Sequence, residues 1–393
     1  MKKTLLGLFI FISFVPSLAF AEEVKFYTLE WEAALAKAKK EHKYIFIDAY
    51  TDWCGWCKVM DKNTFSDAAV AEKMENNFVP LKLDMEEGFG KKLAMKYRVM
   101  AFPTFLVFTG SGKLVRQIIG YHEPKKFLAA LDEALDPNKQ LDLKGVSDNI
   151  EMEFPQFYQD AFSKGKLRKN PDDATVSEWV SSQKNPFSEQ YWSVIYRFNT
   201  DEKTNQWVLE NKKKLTDLYG KDDVSMKLSN IFGSKLQKII KDKDEEGLTN
   251  LASVMKKYGN DDADEMILQY TIRYHESTQQ WKKFTDDVQK YIDTKGFENP
   301  MMVNNYAWTL YEKCEDQDCI QKAVAWQKVV VEKDPQYGNL DTYAALLYKV
   351  KNYDEAITWA KKAIETGKKN KEDTKETENL LERIELGKSL HSK

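Results

Sequence analysis

Apolar residues follow two different periods along the first third of the chain. Residues 44–47 form a continuous apolar run, which is typical of a strand that is buried on both faces of a sheet. Similar runs predict further strands at residues 24–27, 79–83, 104–108 and 114–119. A glycine-containing turn separates the last two runs, so we expect them to form an antiparallel hairpin.

The segments between these runs have helical periodicity. Residues 31–41 place apolar side chains on one face, and Ser66 stands where it can cap a helix over residues 67–76. Further helices are predicted near residues 91–97 and over residues 124–135. The order of elements is therefore βαβαβαββα, which predicts an α/β layer that ends in the hairpin and a last helix.

Strand patterns stop after residue 138. From about residue 140 to residue 390 the chain is rich in Lys, Glu, Asp, Leu and aromatic residues and has few Gly or Pro, which predicts helices throughout. The Trp and Tyr residues between positions 140 and 300 recur at spacings that suit buried helix faces. Packing between paired helices explains them better than an aromatic ligand box does.

A weak internal repeat lies within residues 301–369. Ala323 and Ala356 are 33 residues apart, and Pro335 stands where the first unit would end. This period, together with Tyr353 and Ala356, resembles that of tetratricopeptide repeats, which are helix-turn-helix units of about 34 residues. Lys368 replaces a second Pro, so the match is partial. Because two units cannot bury their faces alone, we expect the preceding helices to complete the stack and the helical region to bind a protein partner.

The N-terminus has the pattern of a cleavable export signal. Lys2 and Lys3 precede an apolar run over residues 5–15, and Ala19-Phe20-Ala21 is a small-x-small cleavage site. An uncleaved membrane anchor is the alternative, but the run is shorter than the ~20 residues that span a bilayer. The predicted organisation is a signal peptide at residues 1–21, an α/β domain at 22–138, a helical region at 139–300, repeat-like helices at 301–386 and a tail at 387–393.

Composition narrows the classes of function. The chain has 393 residues, of which 42% are hydrophobic and 31% charged, and its net charge of −3 provides no basic field for nucleic acid. No later segment is apolar enough to span a membrane, so we expect a soluble protein that is exported, periplasmic or secreted. The four cysteines are too few for a disulfide framework and form two close pairs.

The first pair has the spacing of a redox site. Cys54 and Cys57 follow an apolar strand and begin a helix, whose unpaired N–H groups and dipole stabilise the thiolate of Cys54. Cys57 is then close enough to resolve a mixed disulfide on Cys54. The alternatives are a zinc site, which wants four ligands, and a purely structural disulfide, for which this ring is small. Trp53 and Trp56 would flank the sulfur atoms and help to dock a partner chain.

Several separated features of residues 22–138 resemble thioredoxins. Asp48 lies six residues before Cys54, and Gly120 follows the last strand. The motifs that carry the resemblance are Trp53-Cys54-Gly55-x-Cys57-Lys58 and Phe102-Pro103-Thr104. The resemblance implies an α/β thioredoxin fold, with a central mixed sheet flanked by helices. It also implies the activity of a secreted protein-disulfide oxidoreductase.

The resemblance also implies roles for individual residues. Cys54 would be the nucleophile and Cys57 the resolving thiol, while burial should raise the pKa of Asp48 and make it the proton acceptor. The substrate-binding residues would be Trp53, Trp56, Phe102, Pro103 (in the cis form) and Thr104. No metal and no cofactor other than the Cys54–Cys57 disulfide are expected. The partners would be protein thiols and disulfides and a separate redox protein.

One departure leaves the direction of the reaction open. Typical thioredoxins have Pro where this chain has Trp56, and the residues between the cysteines influence the redox potential. A reductase, an oxidase and an isomerase would share the other site residues. Reduction of protein substrates is the predicted direction.

The second cysteine pair has a different setting. Cys314 and Cys319 lie in the enlarged turn of the first repeat-like unit, which predicts a structural disulfide that fixes this turn. A second redox centre is the alternative, but acidic neighbours would make these thiols less reactive.

Two functions are consistent with these patterns. The first is an enzyme of dithiol–disulfide exchange. The second is a helical-repeat binding protein in which the thioredoxin fold is only a scaffold. The intact set of Cys54, Cys57, Asp48 and Pro103 favours the enzyme.

Overall fold

The computed structural model describes residues 23–391, so the predicted signal peptide at residues 1–21 lies outside the described residues. Contacts between Cα atoms divide the chain into two compact units, with the division between Lys227 and Leu228. Each unit is described below by itself.

A mixed sheet forms the centre of the first unit, as predicted, and it contains four of the five predicted strands. Its strands are β1 (Tyr44–Tyr50), β2 (Phe78–Asp84), β3 (Thr104–Phe108) and β4 (Leu114–Ile119). Within the described residues their spatial order is β2-β1-β3-β4. The β1–β2 pair is parallel, and the β1–β3 and β3–β4 pairs are antiparallel. The predicted hairpin is therefore confirmed as β3–β4.

The strand predicted at residues 24–27 is not a regular strand. Only Tyr27 forms a bridge, to Leu81. The Val24 N–H group instead donates to the Phe65 carbonyl, 2.8 Å away. Because this segment takes its hydrogen bonds from two different neighbours, it cannot form a continuous ladder with one strand.

Five helices flank the sheet. They are α1 (Trp31–Glu41), α2 (Gly55–Asn63), α3 (Ala68–Asn77), α4 (Gly88–Lys96) and α5 (Pro124–Leu135). The N-cap of α3 is Asp67 and not the predicted Ser66, since the Asp67 carboxylate accepts from the N–H groups of Ala69 and Val70. The Ser66 hydroxyl donates backwards to the Lys62 carbonyl.

Aromatic rings fill one side of the sheet. Phe46 of β1 stacks on Phe105 of β3, with 5.5 Å between ring centroids. Phe65 and Phe127 pack edge-on against Phe105. These rings belong to a buried cluster that also takes residues from α2, α3 and α5. Burial of so much aromatic surface fixes the helices against the strand that leads into the cysteine motif.

The rest of the first unit is helical. Its helices are α6 (Gln156–Asp160), α7 (Asp173–Ser182), α8 (Glu189–Arg197), α9 (Glu202–Glu210) and α10 (Lys212–Tyr219), with 3₁₀ turns at Pro137–Lys139 and Gly165–Leu167. Buried polar contacts join these residues to the end of α4. Lys96 Nζ lies 2.8 Å from Glu189 Oε1. Arg98 Nε lies 2.7 Å from Asp223 Oδ2.

The described part of the second unit is also helical, as predicted. The division between the units falls within α11 (Lys221–Asp242). The helices that follow are α12 (Glu245–Tyr258), α13 (Ala263–Ser277), α14 (Trp281–Lys295), α15 (Pro300–Lys313), α16 (Gln317–Lys333), α17 (Tyr337–Lys349), α18 (Tyr353–Asn370) and α19 (Lys375–His391). Two apolar clusters hold helices α13 to α19 together. The tetratricopeptide-like repeat stays a prediction.

No helix among residues 23–391 combines the length and the apolar character needed to cross a membrane.

Candidate active site

Cys54 and Cys57 lie where β1 leads into α2, and a disulfide joins them. Cys54 is the N-cap of α2, and its Sγ accepts a hydrogen bond from the Cys57 N–H group at 3.0 Å. The Cys54 N–H donates to the Thr51 carbonyl, which closes the turn after the strand. The first sulfur therefore sits at the positive end of a helix, where a negative charge is favoured. Only 4% of each cysteine is exposed.

Two tryptophans flank the disulfide and face solvent. Trp53 and Trp56 are each 60% exposed. The Trp53 ring packs edge-on against Phe102, with 5.7 Å between centroids. The centroid of the Trp56 ring lies 5.4 Å from that of the Tyr121 ring. The sequence placed both tryptophans beside the sulfur atoms, and the structure gives each of them an aromatic support.

The loop that precedes β3 carries the predicted proline. The Phe102–Pro103 peptide bond is cis. The Pro103 carbonyl accepts from the Gly120 N–H at 2.8 Å, and Gly120 has φ +89, a conformation that favours glycine. Thr104 is fully buried, and its hydroxyl donates to the Ala101 carbonyl. Any contact of Thr104 with a substrate would therefore use its backbone.

Asp48 is a buried carboxylic acid next to a lysine. It lies inside β1, directly opposite Lys82 of β2 in the register of the sheet. Its exposure is 1%, and its Oδ2 is 3.1 Å from Lys82 Nζ. Burial raises the pKa of Asp48 to about 6, although the Lys82 ammonium acts in the opposite direction. Oδ1 has no hydrogen-bond partner among the described residues.

Three residues at this site were not identified from the sequence. Glu86 accepts a hydrogen bond from the Trp53 indole N–H at 2.9 Å. Arg168 forms an ion pair with the same Glu86 oxygen, and Lys164 binds the carboxylates of Asp52 and Asp84. The only sequence signal was the acidic run after β2, which has no periodicity that points to its partners.

The predicted disulfide between Cys314 and Cys319 is wrong for this structure. Both cysteines are free and buried. Cys314 follows α15, while the backbone N–H of Cys319 donates to the N-cap Asp316 at the start of α16. Asp316 already closes this turn, and the Cys319 thiol contacts Thr285 at 3.8 Å. Burial raises the pKa of Cys319 to about 11, so its thiol is unreactive near neutral pH.

Among residues 23–391 no group of three or more His, Cys, Asp or Glu side chains could hold a metal ion. The predicted lack of a metal and of a cofactor stays a prediction.

A family model described as thioredoxin-like domain matches residues 31–135. A protein disulfide-isomerase of Medicago sativa is 30% identical over 135 residues, which are 33% of this chain and 26% of the relative. The thiol:disulfide interchange protein DsbD of Actinobacillus pleuropneumoniae is 36% identical over 95 residues, which are 23% of this chain and 16% of the relative.

Solved structures match a similar fraction of the chain. A solution structure of a Bacteroides thetaiotaomicron protein is 37% identical and covers 30% of this chain and 97% of its own, with a TM-score of 0.28. A thioredoxin from Thermus thermophilus is 25% identical and covers 29% of this chain and 88% of its own, with a TM-score of 0.27.

The segment that the family model matches carries both cysteines, Asp48 and Pro103, together with the four strands and the five helices that flank them. The chain spans only about a quarter of the length of the first curated relative. The family model and the curated relatives confirm the fold that the cysteine, aspartate and proline motifs indicate. This chain therefore contains a thioredoxin-like domain at residues 31–135, followed by a long helical extension.

Proposed function

We propose that this protein is an exported thiol:disulfide oxidoreductase that reduces disulfides of protein substrates through Cys54 and Cys57. The observation that carries the proposal is the position of Cys54 Sγ at the N-terminus of α2, where it accepts the Cys57 N–H. A helix N-terminus stabilises the thiolate, which is the attacking species in disulfide exchange.

The first step is attack on the substrate. In the reduced protein the Cys54 thiolate forms a bond to one sulfur of a substrate disulfide, and the bond between the two substrate sulfurs breaks. The second substrate sulfur leaves with the electron pair and takes a proton. The exposed Trp53 and Trp56 give an apolar surface on which the substrate chain can lie before this attack.

The second step releases the substrate. The Cys57 thiol loses its proton to Asp48 and attacks Cys54 Sγ, so the bond to the first substrate sulfur breaks and that sulfur leaves as a thiolate. The Cys54–Cys57 disulfide forms, and two electrons pass to the substrate. The pKa of about 6 for Asp48 suits a proton acceptor that works near neutral pH. A separate dithiol protein must then reduce Cys54–Cys57 for the next cycle.

Export would bring the enzyme to its substrates. The leader-like pattern at residues 1–21 would deliver the protein to a compartment where disulfides persist and need reduction or correction. The curated relatives include proteins named protein disulfide-isomerase and thiol:disulfide interchange protein, and these names fit disulfide exchange as the reaction class.

Insulin reduction tests the proposal. The purified protein with dithiothreitol should accelerate the precipitation of insulin chains, and Cys54→Ser should abolish the acceleration because the nucleophile is lost. Cys57→Ser that has been reduced and then freed of dithiothreitol should instead accumulate a mixed disulfide with insulin, which appears as an added mass on a non-reducing gel. The buried pair Cys314 and Cys319 provides the matched control, since Cys314→Ser should keep full activity.

Full activity of Cys54→Ser would overturn the enzyme and favour the helical-repeat binding protein, in which the cysteines are dispensable.

A further inference from the structure

A short segment after the thioredoxin-like domain reaches back to the active site. Residues 163–168 include the 3₁₀ turn Gly165–Leu167, and we call them the return segment. This segment belongs to the same compact unit as the site. Its first residue is held by Lys91, whose Nζ donates to the Ser163 hydroxyl, and its two ends are joined to each other because the Arg168 guanidinium donates to the Ser163 carbonyl.

Lys164 binds carboxylates on both sides of the cysteine motif. Its ammonium lies 2.6 Å from Asp52, two residues before Cys54, and 2.9 Å from Asp84 at the end of β2. These hydrogen bonds, that of Asp52 first, raise the pKa of Lys164. Lys164 therefore stays charged and joins the turn before α2 to the loop after β2.

Arg168 reaches the residue next to the nucleophile through a single carboxylate. Its guanidinium forms an ion pair with Glu86 Oε1, which also accepts the Trp53 indole N–H. The Glu86 side chain is only 3% exposed, whereas 37% of the Arg168 side chain is accessible. Loss of Arg168 would leave a buried carboxylate without its cation, which is costly and encourages the side chain to move.

The return segment also balances the charge near Cys54. Four carboxylates lie on the two loops beside the site, namely those of Asp52, Asp84, Glu86 and Glu87. In the described part of the chain, all of their ion pairs are with Lys164 and Arg168. The other charged groups on the elements around Cys54 are Asp48, Lys58, Asp61, Lys62, Lys82, His122 and Glu123. Of these, Asp48 and Asp61 already share Lys82.

We propose that Arg168 is a positioning residue for the active site: through Glu86 it holds Trp53 beside Cys54, and with Lys164 it offsets the negative charge that would oppose the Cys54 thiolate. This role deepens the proposed function and rests on it, because a thiolate at Cys54 matters only if Cys54 attacks disulfides. A carboxylate that loses its cation repels a nearby thiolate, whereas a cation stabilises it.

The test compares full-length variants after reduction. Arg168→Gln removes the charge, Arg168→Lys retains it, and Arg116→Gln breaks a similar ion pair with Glu133 elsewhere in the same unit. Thiolate formation is followed by ultraviolet absorbance across a pH series, with Cys54→Ser as the blank. A second measurement gives the equilibrium of Cys54–Cys57 with glutathione.

We expect Arg168→Gln to lower the thiolate fraction of Cys54 at neutral pH by roughly three- to tenfold, as the loss of one nearby favourable charge does. The glutathione equilibrium should shift several-fold towards the Cys54–Cys57 disulfide, since a less stable thiolate disfavours the reduced form. In Arg168→Lys the thiolate fraction and the glutathione equilibrium should both return most of the way to the values of the unaltered protein. Arg116→Gln should match the unaltered protein in both measurements.

If Arg168→Gln does not fold, Lys164→Gln removes the other cation and should shift the titration in the same direction by a smaller factor. An unchanged titration in the folded Arg168→Gln or Lys164→Gln protein would overturn the proposal, even if thermal stability fell. Failure of the proposed function looks different, because the unaltered protein would then not reduce insulin while the titrations of the variants still differed.

Discussion

Asp48 shows how folding changes the chemistry of one side chain. The sheet register places it opposite Lys82, but burial outweighs this cation and raises the pKa of Asp48 from 3.8 to about 6. Between these two pH values the folded protein binds the proton more tightly than the unfolded chain does. The free energy of unfolding therefore falls as the pH rises from about 4 to about 6, and the loss is complete above that range.

Asp48→Asn should remove this dependence. Because one unit of pKa shift corresponds to about 1.4 kcal/mol, the variant should gain up to about 3 kcal/mol over the unaltered disulfide-bonded protein between pH 4 and pH 7. Urea denaturation at each pH measures the difference. Asp61→Asn is the matched control, since Asp61 also binds Lys82 but is 45% exposed in its side chain. Parallel stability curves for Asp48→Asn and the unaltered protein would contradict the expected desolvation of Asp48.

The residues of the site differ in how well the sequence could reveal them. Cys54, Cys57 and Asp48 lie on one strand-to-helix connection, so their spacing determines their proximity and was enough for a prediction. The contact of Glu86 with Arg168 joins residues 82 positions apart and depends on the path of a loop. No local period encodes such a contact.

The start of helix α3 shows which of two neighbouring residues, Ser66 or Asp67, is the N-cap. Asp67 accepts from two N–H groups of the first turn, whereas Ser66 donates to the preceding helix. Asp67→Ala should therefore lower the free energy of unfolding by about 1 kcal/mol, the typical cost of losing an N-cap, and Ser66→Ala should cost less. Chemical denaturation of the two variants measures both values. A larger loss for Ser66→Ala would show that the serine is the cap after all.

The segment at residues 24–27 shows where a sequence pattern is not enough to predict a strand. Its apolar residues have a pattern that suits a strand. A strand, however, must also pair along its whole length with one neighbouring strand that has an unpaired edge. Val24 bonds to the Phe65 carbonyl and Tyr27 to the Pro80 carbonyl, so each end has a different partner. The four strands that did form pair along five to seven residues, and their positions could be recognised from the sequence alone.

The first unit as a whole depends on buried charges near the end of α4. The Lys96 side chain is fully buried and pairs with Glu189, which also accepts from the N–H and hydroxyl groups of Ser147. Burial lowers the pKa of Lys96, while the hydrogen bond with Glu189 favours its charged form. Such a pair is costly to break because the remaining ion stays buried.

Lys96→Met should therefore destabilise the protein by about 3 to 5 kcal/mol, and replacement of both Lys96 and Glu189 by Met should recover most of that loss. Lys92→Met is the control, since it removes an exposed pair with Glu151 and should cost no more than about 1 kcal/mol. Urea denaturation of the three variants tests this order. Equal losses for Lys92→Met and Lys96→Met would contradict it.

The ion pairs of Lys96 and Arg98 also have a consequence for any transfer of the thioredoxin-like domain between genes. Lys96 and Arg98 both lie within the thioredoxin-like domain, but their carboxylate partners, Glu189 and Asp223, lie beyond it. A recombination event that transferred residues 31–135 alone would carry two cations without the anions that meet them. The part of this protein that supplies partners for its buried cations is consequently longer than the segment that the family model matches, and it reaches at least to Asp223.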